Sequence, residues 1–266
     1  MSRTLDEMLE LMSEEIINEL ESYFHISSRH PILPLMLSKI HENTNEQFIF
    51  IIDEWDCIFR EYKINKEAQN RYLDFLRNLL KDQPYVNLAY MTGILPIKKY
   101  GTHSVLNMFE EISMVDPELL PEFMGFTKDE VKALCIQYDV NYETMKEWYD
   151  GYHITNDISI FSPRSVVSSI IRKQFGNYWT STETFEALRV YIDMNLDGLK
   201  DDVIALLAGE HISVTTSSFQ NDMTTFETKD DVLTLLIHLG YLGYNASDHT
   251  CYIPNKEVTD AFINSI

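Results

Sequence analysis

The chain has 266 residues, of which 42 are acidic and 21 basic, giving a formal net charge of −21. A surface this acidic repels polyanions, so direct binding of nucleic acid is not expected. No apolar run approaches the roughly 18 residues needed to span a bilayer, and no secretory signal opens the chain, so we expect a cytoplasmic protein without a membrane association.

Cysteine usage indicates a reducing compartment, and histidine usage gives no sign of a metal site. The three cysteines, Cys57, Cys135 and Cys251, are odd in number and far apart, which suits buried thiols in a reducing compartment. The eight histidines form no closely spaced pair that would indicate a metal site.

The first two predicted elements are helices. Residues 1–25 carry apolar side chains at spacings of three and four, which is the pattern of a packed amphipathic helix. A second such pattern, from Leu33 to Ile40, leads through polar residues 41–47 into an apolar run. A helix followed directly by a strand is the order found in crossover connections.

The apolar run that follows, residues 48–52, is the organising element of the chain. Its five residues, three of them β-branched, predict a short strand buried on both faces of a parallel sheet. Asp53 and Glu54 follow it directly, at the rim where open α/β sheets hold their ligands. In P-loop hydrolases the first such acid holds Mg²⁺ through its water shell, and the second polarises the attacking water. The alternative is a buried strand that simply runs into a solvated turn.

A βαβ unit is predicted around this strand. Residues 64–82 have a helical period that Pro84 ends, and residues 86–92 form the next apolar strand. Thr92 then falls at its tip beside Asp53, where a hydroxyl could sense a γ-phosphate or merely begin the turn before Gly93. The loop that follows contains Lys98, whose positive charge suits a triphosphate but equally suits a solvated loop.

A phosphate-cradling loop is missing upstream of the acidic pair. Such a loop needs glycines, and the first glycine of the chain is Gly93. We therefore expect either a fragment that has lost its first strand and phosphate loop, or an acidic pair that is not a nucleotide site in this polypeptide.

The second half is predicted to be mostly helical, after a last strand at residues 109–115. Thr127 to Glu130 forms a capping box that opens a helix to Tyr138, and Ser162 with Pro163 begins another. A helix at residues 230–239 precedes two short strands, 241–245 and 251–254, in a winged-helix arrangement. The remaining helices are expected at residues 143–149, 183–194 and 199–207.

Several stretches together resemble one family, the predicted AAA-ATPase-like proteins of bacteria. These are P-loop ATPases that often carry a PD-(D/E)XK nuclease-like domain after the ATPase part. The resemblance runs from about residue 30 to the end and is carried by the following stretches: Phe-Ile-Ile-Asp-Glu-Trp-Asp (50–56), Thr-Gly-Ile-Leu-Pro-Ile-Lys-Lys-Tyr-Gly (92–101), Leu-Asn-Met-Phe (106–109), Gly-Phe-Thr-Lys-Asp-Glu-Val (125–131), Trp-Tyr-Asp-Gly-Tyr (148–152), Ser-Pro-Arg-Ser-Val (162–166), Tyr-Trp-Thr (178–180), Asp-Asp-Val-Leu-Thr-Leu-Leu-Ile-His-Leu-Gly-Tyr-Leu (230–242) and Ile-Pro-Asn-Lys-Glu-Val (253–258).

The resemblance implies binding and hydrolysis of ATP with Mg²⁺, the metal role falling on Asp53 and the catalytic base on Glu54, with Thr92 and Lys98 toward the nucleotide. Family members carry their phosphate loop before the matching part. The chain is accordingly expected to be the middle of a longer protein, with a nuclease-like domain as a possible following partner.

The expected fold is α/β. Residues 1–126 would form a partial P-loop NTPase core with a parallel sheet and flanking helices, and residues 127–266 a helical lid and winged-helix-like domain. Its function would be the Walker B and lid part of an ATPase, inactive alone. The alternative is a noncatalytic acidic domain that binds another protein.

The motif at residues 148–152 has two interpretations. Its aromatic rings either pack in the interior beside a turn, or contact the adenine base.

Overall fold

The computed structural model describes most of the chain: residues 4–27, 32–62, 65–94, 106–117, 120–154, 158–179, 189–190, 192–219 and 226–265. It is a mixed α/β protein with small sheets. The backbone divides into two compact units, residues 1–110 and 111–266. The domain boundary that the sequence suggested after residue 126 stays a prediction.

The first unit combines helices with one pair of strands. The helix α1 begins with a capping box, in which Thr4 and Glu7 each satisfy a backbone N–H of the other. A short helix that the sequence did not predict, α3, follows the acidic pair. The described elements are α1 (Leu5–Phe24), α2 (Leu33–Thr44), β1 (Phe48–Ile52), α3 (Cys57–Glu61), α4 (Lys66–Leu80) and β2 (Val86–Met91).

The two strands β1 and β2 run parallel, as the βαβ spacing predicted. Ile49 lies opposite Leu88 and Ile51 opposite Tyr90, and the register shifts by one residue after the first pair. Among the described residues this sheet has two strands, so the wider parallel sheet of a P-loop enzyme is not seen.

The two faces of this sheet differ sharply. Phe48, Phe50 and Ile52 point into a core that also contains Met36 and Ile40 of α2 and Leu79 and Leu80 of α4. The side chains on the other face are apolar but exposed: Ile49, Ile51, Leu88 and Tyr90. The prediction of a strand buried on both faces is therefore wrong, because the described helices pack on one face alone.

The strand predicted at residues 109–115 is also wrong. Residues 106–117 form turns and irregular backbone. Ser113 N–H donates to the Asp116 carbonyl at 2.9 Å, and Asp116 N–H donates back to the Ser113 carbonyl at 3.2 Å. This local pairing closes a turn and uses backbone groups that a sheet ladder would need.

The second unit holds most of the predicted helices, together with three-stranded antiparallel sheets of which the sequence predicted only the final hairpin. The α-helices whose bounds the structure describes here are α5 (Lys128–Tyr138), α6 (Tyr142–Tyr149), α7 (Pro163–Arg172), α8 (Leu199–Leu207), α9 (Lys229–His238) and α10 (Lys256–Ser265). Its strands are β3 (Phe126–Thr127), β4 (Tyr152–His153), β5 (Ser159–Phe161), β6 (Ile212–Ser213), β7 (Gly243–Asn245) and β8 (Thr250–Tyr252). Of the helix predicted at residues 183–194, the part up to 188 and residue 191 lie outside the described residues.

The capping box at Thr127 and Glu130 is present and opens α5 as predicted. The helix α9 is buried almost all round, from Val232 to Ile237, and leads into the β7–β8 hairpin. The predicted order of helix and hairpin is thus confirmed. The hairpin pairs with β6 to complete one sheet, in the order β6–β8–β7.

Two of the three thiols are buried as expected. Cys135 and Cys251 are almost inaccessible, whereas Cys57 is half-buried. Burial raises the pKa of the Cys251 thiol to about 12, which keeps it protonated. Among the described residues, no helix is both long enough and apolar enough to cross a membrane.

Candidate active site at the carboxyl ends of β1 and β2

The parallel ladder of β1 and β2 continues beyond both strands and fixes the turn that follows β1. Thr92 N–H donates to the Ile52 carbonyl at 2.9 Å, and Trp55 N–H donates to the Thr92 carbonyl at 2.9 Å. These two bonds hold Asp53 and Glu54 beside Thr92 at one edge of the sheet. The structure thereby brings together three of the four predicted site residues.

Asp53 is the centre of this group. The Thr92 hydroxyl donates a hydrogen bond to Asp53 Oδ1, and the Glu54 N–H donates to the same oxygen at 3.1 Å. The Asp53 side chain is exposed, and Thr92 is half-buried. Within the described part of the chain, both hydrogen bonds to this carboxylate end on Oδ1, so Oδ2 can bind a further ligand.

Glu54 adopts a left-handed backbone conformation, with φ of 51°. This conformation costs a non-glycine residue on the order of 1–3 kcal/mol. It turns the chain away from the direction of β1 and allows the Trp55 N–H to reach Thr92. The catalytic base that the sequence predicts is therefore the residue that carries the backbone strain of this turn.

Trp55, Asp56 and Gly93 form the support beneath the site, a role that sequence reasoning missed. Trp55 and Asp56 are buried, and Asp56 Oδ2 accepts a hydrogen bond from the Ile94 N–H at 3.2 Å. A Cβ atom on Gly93 would lie 2.6 Å from Trp55 Cδ1 and 2.8 Å from Asp56 Oδ1. The loop after β2 can approach the turn after β1 this closely because residue 93 lacks a side chain.

The buried carboxylate of Asp56 also affects its neighbours. Burial of the Tyr72 hydroxyl is the main reason that its pKa lies above the ordinary value. The nearby Cys57 and Asp56 raise the pKa of Tyr72 further. The sequence signal for this support was present, since Trp55 and Asp56 directly follow the acidic pair. This pattern did not, however, indicate that the Asp56 side chain would be buried.

The donor set fits a magnesium ion held mainly by phosphates and water. Mg²⁺ is usually bound through one or two carboxylates, with water and phosphate completing its octahedron. Asp53 with the adjacent Thr92 hydroxyl meets that requirement. Among the described residues there is no group of three His, Cys, Asp or Glu side chains that could hold a metal by themselves. The fourth predicted residue, Lys98, lies outside the described residues.

The second conspicuous motif, residues 148–152, is part of the interior of the second unit. Tyr149 is buried, and its hydroxyl donates to the Gly176 carbonyl at 2.9 Å. The Tyr152 hydroxyl donates to the Gly240 carbonyl at 2.7 Å. Burial raises the pKa of Tyr149 to about 12. These contacts favour the packing interpretation of the motif over an aromatic contact to adenine.

The turn inside this motif is constrained as well. Asp150 accepts hydrogen bonds from the Gly151 N–H at 2.8 Å and from the Ser159 hydroxyl. Gly151 has φ of 113°, and a Cβ atom there would overlap the Pro254 carbonyl oxygen. Asp150 and Gly151 therefore form the turn that the sequence predicted.

A buried carboxylate at the start of α10 joins three segments of the second unit. Glu257 Oε1 accepts from the N–H groups of Tyr178 and Trp179 at 2.5 and 2.6 Å. Its Oε2 accepts from the Ser165 hydroxyl at 2.6 Å. Both oxygens are thus used within the protein, so this acid has a structural role.

Comparison with known proteins adds no further constraint on this site. No family model matches the chain, and no curated protein or solved structure is significantly similar to it.

Proposed function

We propose that this chain supplies the magnesium-binding and water-activating carboxylates of an AAA-like ATPase. The observation that carries the proposal is the hydrogen bond from the Thr92 hydroxyl to Asp53, made between the carboxyl ends of two neighbouring parallel strands. Ligands of open α/β sheets bind outside those strand ends. The resemblance of residues 50–56 and 92–101 to the AAA-ATPase-like family supports the same assignment.

Each residue has a distinct task in this proposal. Asp53 would hold the ion through its water shell, with Oδ1 oriented by the Thr92 hydroxyl. Glu54, one residue on, would take a proton from the attacking water, and Thr92 would contact the γ-phosphate. A bound magnesium ion would neutralise charge that develops on the transferred phosphoryl group.

The triphosphate itself needs more donors than the residues before β1 can provide. The first glycine of the chain is Gly93, so a glycine-rich phosphate loop is not encoded upstream of Asp53. Backbone donors and a lysine in such a loop supply most phosphate contacts in ATPases. We therefore expect the chain by itself to bind the metal weakly and to show negligible ATP turnover.

The test uses Mn²⁺ as a paramagnetic substitute for Mg²⁺ on the isolated chain. We expect Mn²⁺ to broaden the NMR signals of Thr92 and Gly93 and Asp53→Asn to abolish that broadening. Asp82→Asn, at an exposed position of the same unit, should leave it unchanged. Equal broadening in wild type and Asp53→Asn would contradict the metal role. ATP turnover that Glu54→Gln abolishes would contradict the expected need for further phosphate donors.

The second candidate is a noncatalytic domain that binds another protein. It is favoured by the formal charge of −21 and by the exposed apolar face of the first unit. Binding of a protein partner that is insensitive both to nucleotide and to Asp53→Ala would favour this candidate over the ATPase.

A further inference from the structure

The exposed face of the β1–β2 sheet is a continuous apolar surface. Ile49, Ile51, Leu88 and Tyr90 are 63%, 75%, 53% and 54% exposed. The register places Ile49 beside Leu88 and Ile51 beside Tyr90, so the four side chains form a two-by-two block. We call these four residues the outer sheet face.

The outer sheet face leads directly to the acidic pair. Side chains alternate along a strand, so Asp53 continues the row of Ile49 and Ile51, and Thr92 continues the row of Leu88 and Tyr90. The hydrogen bond between Thr92 and Asp53 agrees with this placement. The surface is thus apolar along the strands and polar at their carboxyl ends.

The two ends of the outer sheet face differ in charge. At the amino end, the neutral side chains of Gln47 and Asn87 bond to each other at 3.3 Å. At the carboxyl end stands the exposed carboxylate of Asp53. Among the residues that the structure describes, no Lys, Arg or His lies within ion-pair distance of Asp53. An occupant with an apolar side and a positive end would match both parts of this surface.

We propose that the outer sheet face binds an amphipathic helix with its positively charged end against Asp53. Parallel sheets are normally covered by helices on both faces, and here the described helices cover one. From residue 49 to 53 a strand rises about 13 Å, which matches two to three turns of helix. A helix about 10 Å wide also covers two adjacent strands.

Other occupants fit less well. A second copy of this chain would bring another net charge of −21, and a stable dimer needs about 800 Å² from each partner, more than four side chains provide. An anionic membrane surface would be repelled for the same electrostatic reason. The proposal does not depend on ATP hydrolysis.

The probe is a synthetic Leu/Lys peptide of about four helical turns, with leucines at spacings of three and four and a lysine cluster at one end. The control peptide has the same composition in scrambled order. Fluorescence anisotropy should show at least tenfold tighter binding of the ordered peptide. Asp53→Asn should weaken that binding severalfold, because it removes the charge at one end.

Paired variants locate the binding surface. Ile51→Glu with Leu88→Glu should reduce the ordered peptide to the affinity of the scrambled one. Ile136→Glu with Ile171→Glu, at apolar positions of α5 and α7 that are 84% and 75% exposed, should leave the affinity unchanged. Equal affinity for both peptides, or equal loss in both variants, would overturn the proposal.

A measurement on the wild-type chain covers the case in which the charged variant fails to fold. With methyl-labelled protein, the ordered peptide should shift the NMR signals of Ile49, Ile51 and Leu88 and leave those of Ile136 and Ile171 in place. Shifts confined to other methyl groups would refute the proposal. If sedimentation shows a dimer, and Ile51→Glu dissociates it, the outer sheet face binds a second copy of the chain instead. These experiments read peptide binding at the outer sheet face, whereas the Mn²⁺ experiment reads a metal at Asp53, so failure of one leaves the other result standing.

Discussion

Two carboxylates, one in each unit, show how the surroundings of an acid decide its role. Asp53 in the first unit is exposed, and the described hydrogen bonds use one of its oxygens. Glu257 in the second unit is 2% exposed, and three donors use both of its oxygens. A saturated buried acid holds segments together, whereas an exposed acid with an available oxygen can bind a ligand. In this comparison Asp53 is open to solvent, whereas Glu257 is committed to holding the second unit together.

The largest effect that this comparison predicts is on folding. Glu257→Ala would remove the acceptor of two partly buried backbone N–H groups and of the buried Ser165 hydroxyl, at a cost of about 4 kcal/mol in the free energy of unfolding. Asp53→Ala should cost less than about 1 kcal/mol, because water replaces its hydrogen bonds. Urea unfolding followed by circular dichroism measures both. Similar costs for the two variants would remove the distinction between the acids.

The next effect separates backbone strain from steric conflict at two glycines of the second unit. Gly151→Ala should destabilise by about 3 kcal/mol or more, since its Cβ would meet the Pro254 carbonyl in addition to requiring a positive φ. Gly209, with φ of 87°, has open space where a Cβ would lie, with no atom within 4 Å. Gly209→Ala should therefore cost only about 1–2 kcal/mol. Equal unfolding free energies for the two variants would show that the turn relaxes away from Pro254.

A third effect tests the cohesion of the second unit through pH. His238 stacks on Phe219 with ring centroids 5.8 Å apart, and burial lowers its pKa to about 4. Because the unfolded state takes up this proton first, stability falls as the pH drops from about 6.5 towards 4, by about 3 kcal/mol in total.

His238→Phe keeps a ring against Phe219 and removes the titrating group. The difference in unfolding free energy between wild type and this variant should therefore be constant above pH 7 and grow in the variant's favour below pH 6. A difference that does not change between pH 7 and pH 4 would show that His238 is protonated as readily in the folded chain as in the unfolded one.

Local sequence signals predicted those parts of the fold that local interactions determine. The capping box at Thr127 and the proline at the start of α7 follow from residues close together in sequence. The parallel pairing of β1 with β2 joins Phe48 to Val86 and was predicted from the helical period between two apolar runs. The strands β3, β4 and β5 are two or three residues long, too short to show an alternation. β4 pairs with the nearby β5, whereas β3 pairs with β5 across α5 and α6, which a single sequence does not reveal.

The candidate site was predictable in its chemistry and less so in its surroundings. An apolar strand that ends in two acids indicated Asp53 and Glu54, and the βαβ spacing indicated Thr92. The same apolar run gave no means of distinguishing a strand covered on both faces from one with Ile49 and Ile51 exposed. The structural role of Glu257 was not predictable either, because its donors lie 78 to 92 residues away in sequence.

The smallest predicted effect concerns the strained turn of the first unit. Glu54→Gly relieves the left-handed backbone, worth about 1–2 kcal/mol, but gives the unfolded chain more freedom, worth about 0.5–1 kcal/mol. We expect a net gain of about 0.5–1 kcal/mol in unfolding free energy. Asp82, with φ of 55° at an exposed position, is the matched control, and Asp82→Gly should give the same gain. If Asp82→Gly stabilises and Glu54→Gly does not, the Glu54 side chain contributes to folding, and retention of this strained residue needs no catalytic explanation.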